Sequence, residues 1–185
     1  MDKKLSIKLV IIGAAYSGKT TFIRYYLGEN INIDDYPYSS SPQYCNKSIN
    51  FLNREVDLEI WDTRGEQRYD RFPKFFIKDS QMIFIFYDSS DKESFERSKT
   101  FFNIAKENTN DEKVVIVLVS NKYNLYVKSK ENINKVSEEE ALEYASKNNL
   151  LFAHISIVEK YDNGINELID KALKEYIKKN YNLYV

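Results

Sequence analysis

Eight residues near the N-terminus have the types and spacing needed to hold a phosphate group. They read Gly-Ala-Ala-Tyr-Ser-Gly-Lys-Thr, from Gly13 to Thr20, and fit the pattern G-x-x-x-x-G-K-[ST]. Backbone N–H groups of such a loop cradle phosphate oxygens, aided by the N-terminus of the helix that follows. Lys19 can reach the β- and γ-phosphates, and the Thr20 hydroxyl can ligate Mg²⁺. The alternative is an ordinary glycine-containing turn between a strand and a helix. The predicted phosphate-site residues are Gly13, Ala14, Ala15, Tyr16, Ser17, Gly18, Lys19, Thr20 and Thr21.

A carboxylate further along the chain could share that site. The stretch "DLEIWD" is an apolar strand pattern that ends at Asp62. A carboxylate in that position is typical of a second group directed at Mg²⁺, usually through a water molecule. Taken alone, Asp62 would fit a turn residue equally well. Thr20 and Asp62 are therefore two predicted metal-directed residues.

Composition limits the classes of protein that fit. The 185 residues suit one domain, predicted to span 1–185, and 43% hydrophobic with 30% charged residues indicates an ordinary globule. A net charge of −1 without a basic tract argues against a nucleic-acid binder. The single cysteine and the lack of a signal-like or membrane-spanning apolar run predict a cytoplasmic protein.

Apolar strand patterns alternate with amphipathic helical patterns, which is typical of a parallel sheet covered by helices. Strands are predicted at 4–13, 43–52, 55–62, 81–88, 113–120 and 150–157, and helices at 19–27, 91–108, 137–148 and 164–179. The 43–52 strand is expected to form an antiparallel edge beside the next strand. Segments 29–42 and 64–80 are predicted to be mobile loops. The fold class is therefore α/β.

Five motifs occur in an order and spacing that resemble the Ras-like small GTPases, and most of all their Rab branch. They are "GAAYSGKT", "WDTRGEQRY", "FIKDSQMIFIFYDSSDKESF", "LVSNKYNL" and "HISIVEK". The resemblance covers about residues 5–178. It implies the P-loop NTPase fold, with a six-stranded, mostly parallel sheet and helices on both faces. It also implies GTP or GDP with Mg²⁺, and switches at 29–45 and 63–78 that are ordered by the γ-phosphate.

The residues implied in hydrolysis depart from the family pattern. The family's catalytic Gln follows the Gly of its D-x-x-G motif, but here Gly65 is followed by Glu66, and Gln67 comes one residue later. A glutamine amide can accept a hydrogen bond from the attacking water while donating to phosphate, and a carboxylate cannot do both. Lys19, Gly65, Glu66 and Gln67 form the implied catalytic set. The alternative is that Gln67 replaces the family's Gln through a shift of the loop, but adjacent residues of an extended segment point in different directions. Glu66 leads us to predict slow hydrolysis.

Ser39 falls at the family's switch I threonine, whose hydroxyl ligates Mg²⁺ and whose N–H contacts the γ-phosphate. A serine keeps the hydroxyl, so Ser39 is the third predicted metal ligand. Because Ser39 begins a run of three serines, the assignment could slip by one residue. The alternative is a polar turn before Pro42.

The implied base site also departs from the family. "NKYN" supplies Asn121 and Lys122, but Asn124 replaces the Asp that accepts two hydrogen bonds from guanine. One amide oxygen cannot replace two carboxylate oxygens, so guanine preference should weaken and xanthine nucleotides should compete better. The remaining base-site segment is Ser156, Ile157 and Val158, where the family has Ser-Ala-Lys.

Three aromatic residues match the surface triad through which Rab-like proteins report their nucleotide state. These are Tyr44, Trp61 and Phe76, which are predicted to contact protein effectors. The alternative is that some of them fill the core. The family's C-terminal lipid-bearing cysteine is missing from "KKNYNLYV", so we expect no stable membrane anchor in this chain, although partners could bring it to membranes.

The sequence leaves two functions open. The first is an atypical Rab-like GTPase, monomeric, with slow hydrolysis and partner contacts that depend on its switches. The second is a nucleotide-locked or nucleotide-free interaction module. A small kinase is a remote third possibility, because the sequence shows no lid-like arginine set.

Overall fold

The computed structural model describes residues 4–29, 43–63, 74–109, 112–122, 135–157 and 164–181. Within these ranges the strands are β1 (Leu5–Gly13), β2 (Gln43–Phe51), β3 (Arg54–Asp62), β4 (Met82–Asp88), β5 (Val115–Asn121) and β6 (Leu151–His154). The helices are α1 (Lys19–Tyr26), α2 (Lys92–Asn108), α3 (Glu138–Lys147) and α4 (Ile165–Tyr181), with a short 3-10 helix at Lys74–Phe76. Among the described residues, no helix is both long enough and apolar enough to span a bilayer.

The six strands form one sheet in the order β2-β3-β1-β4-β5-β6. All neighbours are parallel except β2 and β3, which pair antiparallel. The carboxyl ends of parallel strands meet at one edge of the sheet. Gly13, Asp62, Asp88 and Asn121 are the last residues of β1, β3, β4 and β5, so they reach that edge together. Ligands of open α/β sheets bind at this edge.

The β2–β3 hairpin turns through Leu52 and Asn53. Both residues have positive φ, 52° and 60°. Two positive φ values in a two-residue loop are typical of a type I′ turn, whose twist matches that of the flanking strands. Asn tolerates this conformation better than Leu does, so the turn places mild strain on Leu52.

Helices cover both faces of the sheet, and each face has its own apolar core. On one face, α1 and α4 pack on alternate residues of β1, β3, β4 and β5, including Leu9, Leu58 and Phe84. On the other face, α2 packs on the intervening residues, including Ile12 and Ile85. Because β1, β4 and β5 lie between helices on both sides, they are almost wholly buried, as expected for parallel strands.

The predicted fold is confirmed, with corrections at the ends of elements. The strand predicted at 150–157 is shorter, because pairing of β6 with β5 stops at His154 and Ile155–Ile157 leave the sheet. Residues 74–76 of the predicted loop 64–80 form a 3-10 helix instead. The rest of the two predicted loops lies largely outside the described residues.

Candidate functional site

The phosphate loop joins the end of β1 to the start of α1 and approaches other backbone closely. Gly13 has φ 143°, and a Cβ added there would lie 2.2 Å from the carbonyl oxygen of Phe86. Gly18 has φ 90° and is the N-cap of α1. The Ser17 hydroxyl donates to the carbonyl of Ala14 over 2.9 Å, which closes the loop on itself. The loop therefore connects a buried strand to the first turn of a helix, which is the context that the motif requires.

Lys19 is buried within this loop. Only 5% of the residue is exposed, and its ammonium donates to the carbonyl oxygens of Gly13 (3.2 Å) and Ala14 (2.7 Å). Burial lowers the pKa of Lys19 to about 8, although the nearby Asp62 carboxylate opposes this shift. Burial of an ammonium is unfavourable without an anionic partner, and a bound polyphosphate would supply one.

Asp62 and Thr20 face each other beside the loop. The Thr20 hydroxyl donates to Asp62 Oδ2 over 2.6 Å. Asp62 is 2% exposed, and its Oδ1 has no hydrogen-bond partner within the part of the chain that the structure describes. Burial raises the pKa of Asp62, whereas the Thr20 hydroxyl and the Lys19 charge lower it. A buried carboxylate oxygen beside a hydroxyl fits the oxygen ligand set of Mg²⁺.

Asn121 connects the predicted base site to the phosphate loop. Its side-chain amide donates to the Ser17 carbonyl over 2.8 Å. The next residue, Lys122, has φ 60°, and its N–H donates to Asn121 Oδ1 over 2.8 Å. A Cβ at Gly18 would meet the Asn121 amide nitrogen at 2.1 Å, so this glycine makes room for the contact. Asn121 of the predicted base site is therefore bonded directly to the predicted phosphate loop.

Ser156 and Ile157 lie on the same corner of the molecule. Directly after the end of β6, the Ile155 N–H donates to the Ser120 carbonyl over 2.8 Å. Ser156 and Ile157 are each 8% exposed. The Ile157 side chain lies near Gly18, since its Cδ1 is 3.8 Å from the position of an added Cβ. The structure thus brings three predicted segments together: the phosphate loop, Asn121–Lys122 and Ser156–Ile157.

Comparison with known proteins decides the family. The sequence model of the Ras family matches residues 8–178, nearly the whole chain. The chain belongs to the Ras family. It is therefore a GTPase that binds GTP and GDP with Mg²⁺, and the resemblance seen in its motifs is confirmed.

Named relatives of this Ras family GTPase are Rab proteins. It is 30% identical to the Ras-related protein Rab-21 of Geodia cydonium over 173 residues, which cover 94% of this chain and 72% of the relative. It is 28% identical to Rab-21 of Homo sapiens, over 94% of this chain and 73% of the relative. It is also 28% identical to Rab-5A of Dictyostelium discoideum, over 96% of this chain and 84% of the relative.

The aromatic residues of the GTPase form a row of contacting rings. The centroids of Tyr44 and Trp61 are 4.9 Å apart, and those of Trp61 and Phe76 are 5.8 Å apart. Tyr44 is 52% exposed, but Phe76 is only 8% exposed and packs in the core. Phe75 is not among the three predicted aromatic residues. It is 67% exposed, and its ring centroid lies 4.2 Å from that of Phe76. We call Tyr44, Trp61, Phe75 and Phe76 the aromatic cluster.

Several predicted residues of the GTPase cannot be placed. Ser39, Gly65, Glu66, Gln67, Asn124 and Val158 lie outside the described residues. Their predicted roles stay predictions. Tyr16 is described: it is 73% exposed and has φ 62°, an uncommon conformation for a residue with a side chain. Its ring is therefore at the surface of the phosphate loop.

One charged residue beside Lys122 is absent from the predicted site residues. Asp88, the last residue of β4, lies 2.7 Å from the ammonium of Lys122. The sequence contains a signal for it, because Asp88 ends an apolar strand just as Asp62 does. Without the pairing of β4 with β5, however, nothing in the sequence connects Asp88 to Lys122.

Proposed function

We propose that this Ras family GTPase is a slow Rab-like switch that reports its nucleotide state to protein partners through the aromatic cluster. The observation that carries the proposal is the end of β3. Trp61 belongs to the aromatic cluster, and the next residue, Asp62, faces Thr20. Adjacent strand residues point to opposite faces, so one short segment connects the nucleotide side to the partner side.

The residues around the phosphate loop have distinct roles in this proposal. The Lys19 ammonium binds the β- and γ-phosphates, together with the N–H groups of the loop. Thr20, Asp62 and Ser39 hold Mg²⁺, which neutralises charge on the phosphates when bound. Asp62 acts through water, consistent with its buried, half-satisfied carboxylate.

The base site is proposed to use Asn121, Lys122, Asn124, Ser156 and Ile157. The Asn121 amide ties this site to the phosphate loop through Ser17. Lys122 lies along the base, and the Ile157 N–H meets a base oxygen. Asn124 presents one carbonyl and one NH₂ to the base edge in place of a carboxylate.

We expect single-turnover GTP hydrolysis by the wild-type chain to be slow, and Glu66→Gln to accelerate it by about tenfold or more. Glu66 cannot both accept from water and donate to phosphate, and it adds negative charge near an anionic transition state. The measurement is phosphate release from preloaded GTP. Gln67→Ala tests the other candidate residue of the implied catalytic set: if Gln67 does not replace the family's Gln, its removal leaves the rate within about twofold. A wild-type rate typical of the family that is lost in Gln67→Ala would contradict slow hydrolysis.

We expect XTP to compete with GTP far better than it does in a protein with an aspartate at this position. The C2 oxygen of xanthine can accept from the Asn124 NH₂, whereas guanine presents a donor there. Mismatched groups cost about 1–3 kcal/mol, so Asn124→Asp should shift the preference towards GTP by about tenfold or more. Competition titrations of wild type and Asn124→Asp against labelled GDP measure this shift. Strong wild-type preference for GTP over XTP would refute the role of Asn124.

The second candidate, an interaction module locked with nucleotide or lacking it, is favoured by the same departures at Glu66 and Asn124. Extraction of the purified protein identifies its bound nucleotide. A nucleotide that neither exchanges nor turns over, or no binding of GTP, GDP or XTP, would select this candidate over the slow switch.

A further inference from the structure

Asp88 and Lys122 are brought together by the pairing of β4 with β5. In the register of these strands, Asp88 lies opposite Asn121. Both the N–H and the hydroxyl of Ser89 donate to the Asn121 carbonyl, each over 3.0 Å. The two strand ends are thus held together just where the chain leaves the sheet. The side chain of Asp88 therefore has a fixed relation to the residue that follows Asn121.

The Asp88 carboxylate is bonded through both oxygens. Oδ1 accepts from the Ser90 N–H over 2.9 Å and from the Ser90 hydroxyl over 2.6 Å. Oδ2 accepts from the Lys122 ammonium over 2.7 Å. Only 14% of the Asp88 side chain is exposed, so its rotamer is determined by the turn that leads into α2. A fixed carboxylate can therefore orient the lysine that contacts it.

Lys122 is constrained at its other end as well. Its φ of 60° is held by the bond from its N–H to Asn121 Oδ1. A lysine side chain has four rotatable carbon–carbon bonds and loses rotamer freedom when it is ordered. With the backbone held by Asn121 and the ammonium held by Asp88, the alkyl stem between them is already ordered before a base arrives. Pre-ordering of this kind lowers the cost of binding.

We propose that Asp88 is a positioning residue for guanine-nucleotide binding, which acts by orienting Lys122. The inference rests on the proposed role of Lys122 at the base. Asp88 touches neither nucleotide nor metal in this proposal. Its effect passes wholly through the lysine, and this separates it from a residue that merely stabilises the turn.

The test measures dissociation of mant-GDP from the full chain in Mg²⁺. Asp88→Asn retains the shape of the side chain and an acceptor for Ser90 but removes the charge that faces Lys122. We expect mant-GDP to dissociate about 5- to 10-fold faster from this variant, because bonds to charged groups are the stronger ones. Asp91→Asn is the matched control: it removes the same charge from the same turn, and asparagine also caps helices well. It should change the rate by less than about twofold.

A double-variant cycle distinguishes positioning from a structural role. If Asp88 acts through Lys122, adding Asp88→Asn to Lys122→Met should change the mant-GDP dissociation rate by less than about twofold. A full, additive effect in the Lys122→Met background would overturn the proposal and indicate a structural role. An unchanged rate in Asp88→Asn alone would overturn it too. If Lys122→Met itself leaves the rate unchanged, the proposed base site fails and the positioning role fails with it.

A second variant, Asp88→Glu, is used if Asp88→Asn destabilises the fold. The thermal midpoint of nucleotide-free protein shows whether Asp88→Asn is destabilised. If it is, Asp88→Glu, which retains the charge, is compared with it at equal temperature. Slower mant-GDP dissociation from the glutamate variant than from the asparagine variant supports positioning by charge, and equal rates overturn it.

Discussion

Lys19→Ala is expected to abolish stable nucleotide binding, with affinity for GDP reduced about 100-fold or more. The variant removes two to three charge-assisted hydrogen bonds to phosphate, each worth about 1.5–3 kcal/mol. The Lys19 ammonium is buried in the phosphate loop, where it donates to the carbonyl oxygens of Gly13 and Ala14. The measurement is equilibrium titration with mant-GDP, together with the nucleotide content of the purified protein.

The same variant should not destabilise the nucleotide-free protein. The free chain holds the Lys19 ammonium in a site that lowers its pKa to about 8, so burial there is unfavourable. Removal of the charge relieves this cost, and the thermal midpoint of nucleotide-free Lys19→Ala should equal or exceed that of wild type. Lys147→Ala is the matched control, because Lys147 is 69% exposed and its ion pair is with Glu143 on its own helix. Undiminished nucleotide retention by Lys19→Ala would refute the phosphate site.

Gly13→Ala is expected to cause the largest loss of stability of any single methyl addition considered for this chain. The added Cβ would lie 2.2 Å from the Phe86 carbonyl oxygen and 2.9 Å from the Phe86 nitrogen. These are backbone atoms of β4, the strand paired with β1, so neither side can move aside without breaking the sheet. The φ of 143° adds strain. We expect the free energy of unfolding to fall by about 4 kcal/mol or more.

Gly28→Ala separates the clash from the backbone strain. Gly28 also has a positive φ, 87°, but nothing lies within 4 Å of an added Cβ. Gly28→Ala should lower the free energy of unfolding by about 1–2 kcal/mol, because alanine is strained in the left-handed conformation. Urea unfolding of both variants without nucleotide gives the two free energies. Equal losses would show that the close approach of β1 to β4 has no importance beyond the conformation of glycine.

Much of the phosphate site could be predicted because its residues are consecutive. Gly13, Gly18, Lys19 and Thr20 belong to one loop between a strand and a helix, and a local pattern implies their geometry. Asp62 was also predictable, since a carboxylate at the end of an apolar strand reaches the same sheet edge once the sheet is parallel. Strand positions followed from runs of apolar residues. Among the strands, the errors were at the ends, as at β6, where pairing stops at His154.

The aromatic cluster shows a limit of reasoning from motifs. Phe75 and Phe76 are adjacent, and the family pattern selected Phe76 for the surface. In the structure Phe76 is buried among core residues and Phe75 is exposed, because a 3-10 helix turns successive side chains to different sides. In so short an element, the sequence alone does not indicate which of the two side chains faces solvent. Any partner contact by Phe75 therefore became visible only in the fold.

The amino-acid sequence by itself determined the Ras-type fold class and predicted the phosphate loop and the residues proposed to bind phosphate, metal and base. Tertiary structure alone decided which of them meet. The Asn121 amide reaches Ser17, and Asp88 reaches Lys122, across 104 and 34 positions of sequence. The physical reason is strand register: a shift of one residue would turn these side chains to the other face of the sheet, and no local pattern carries that information.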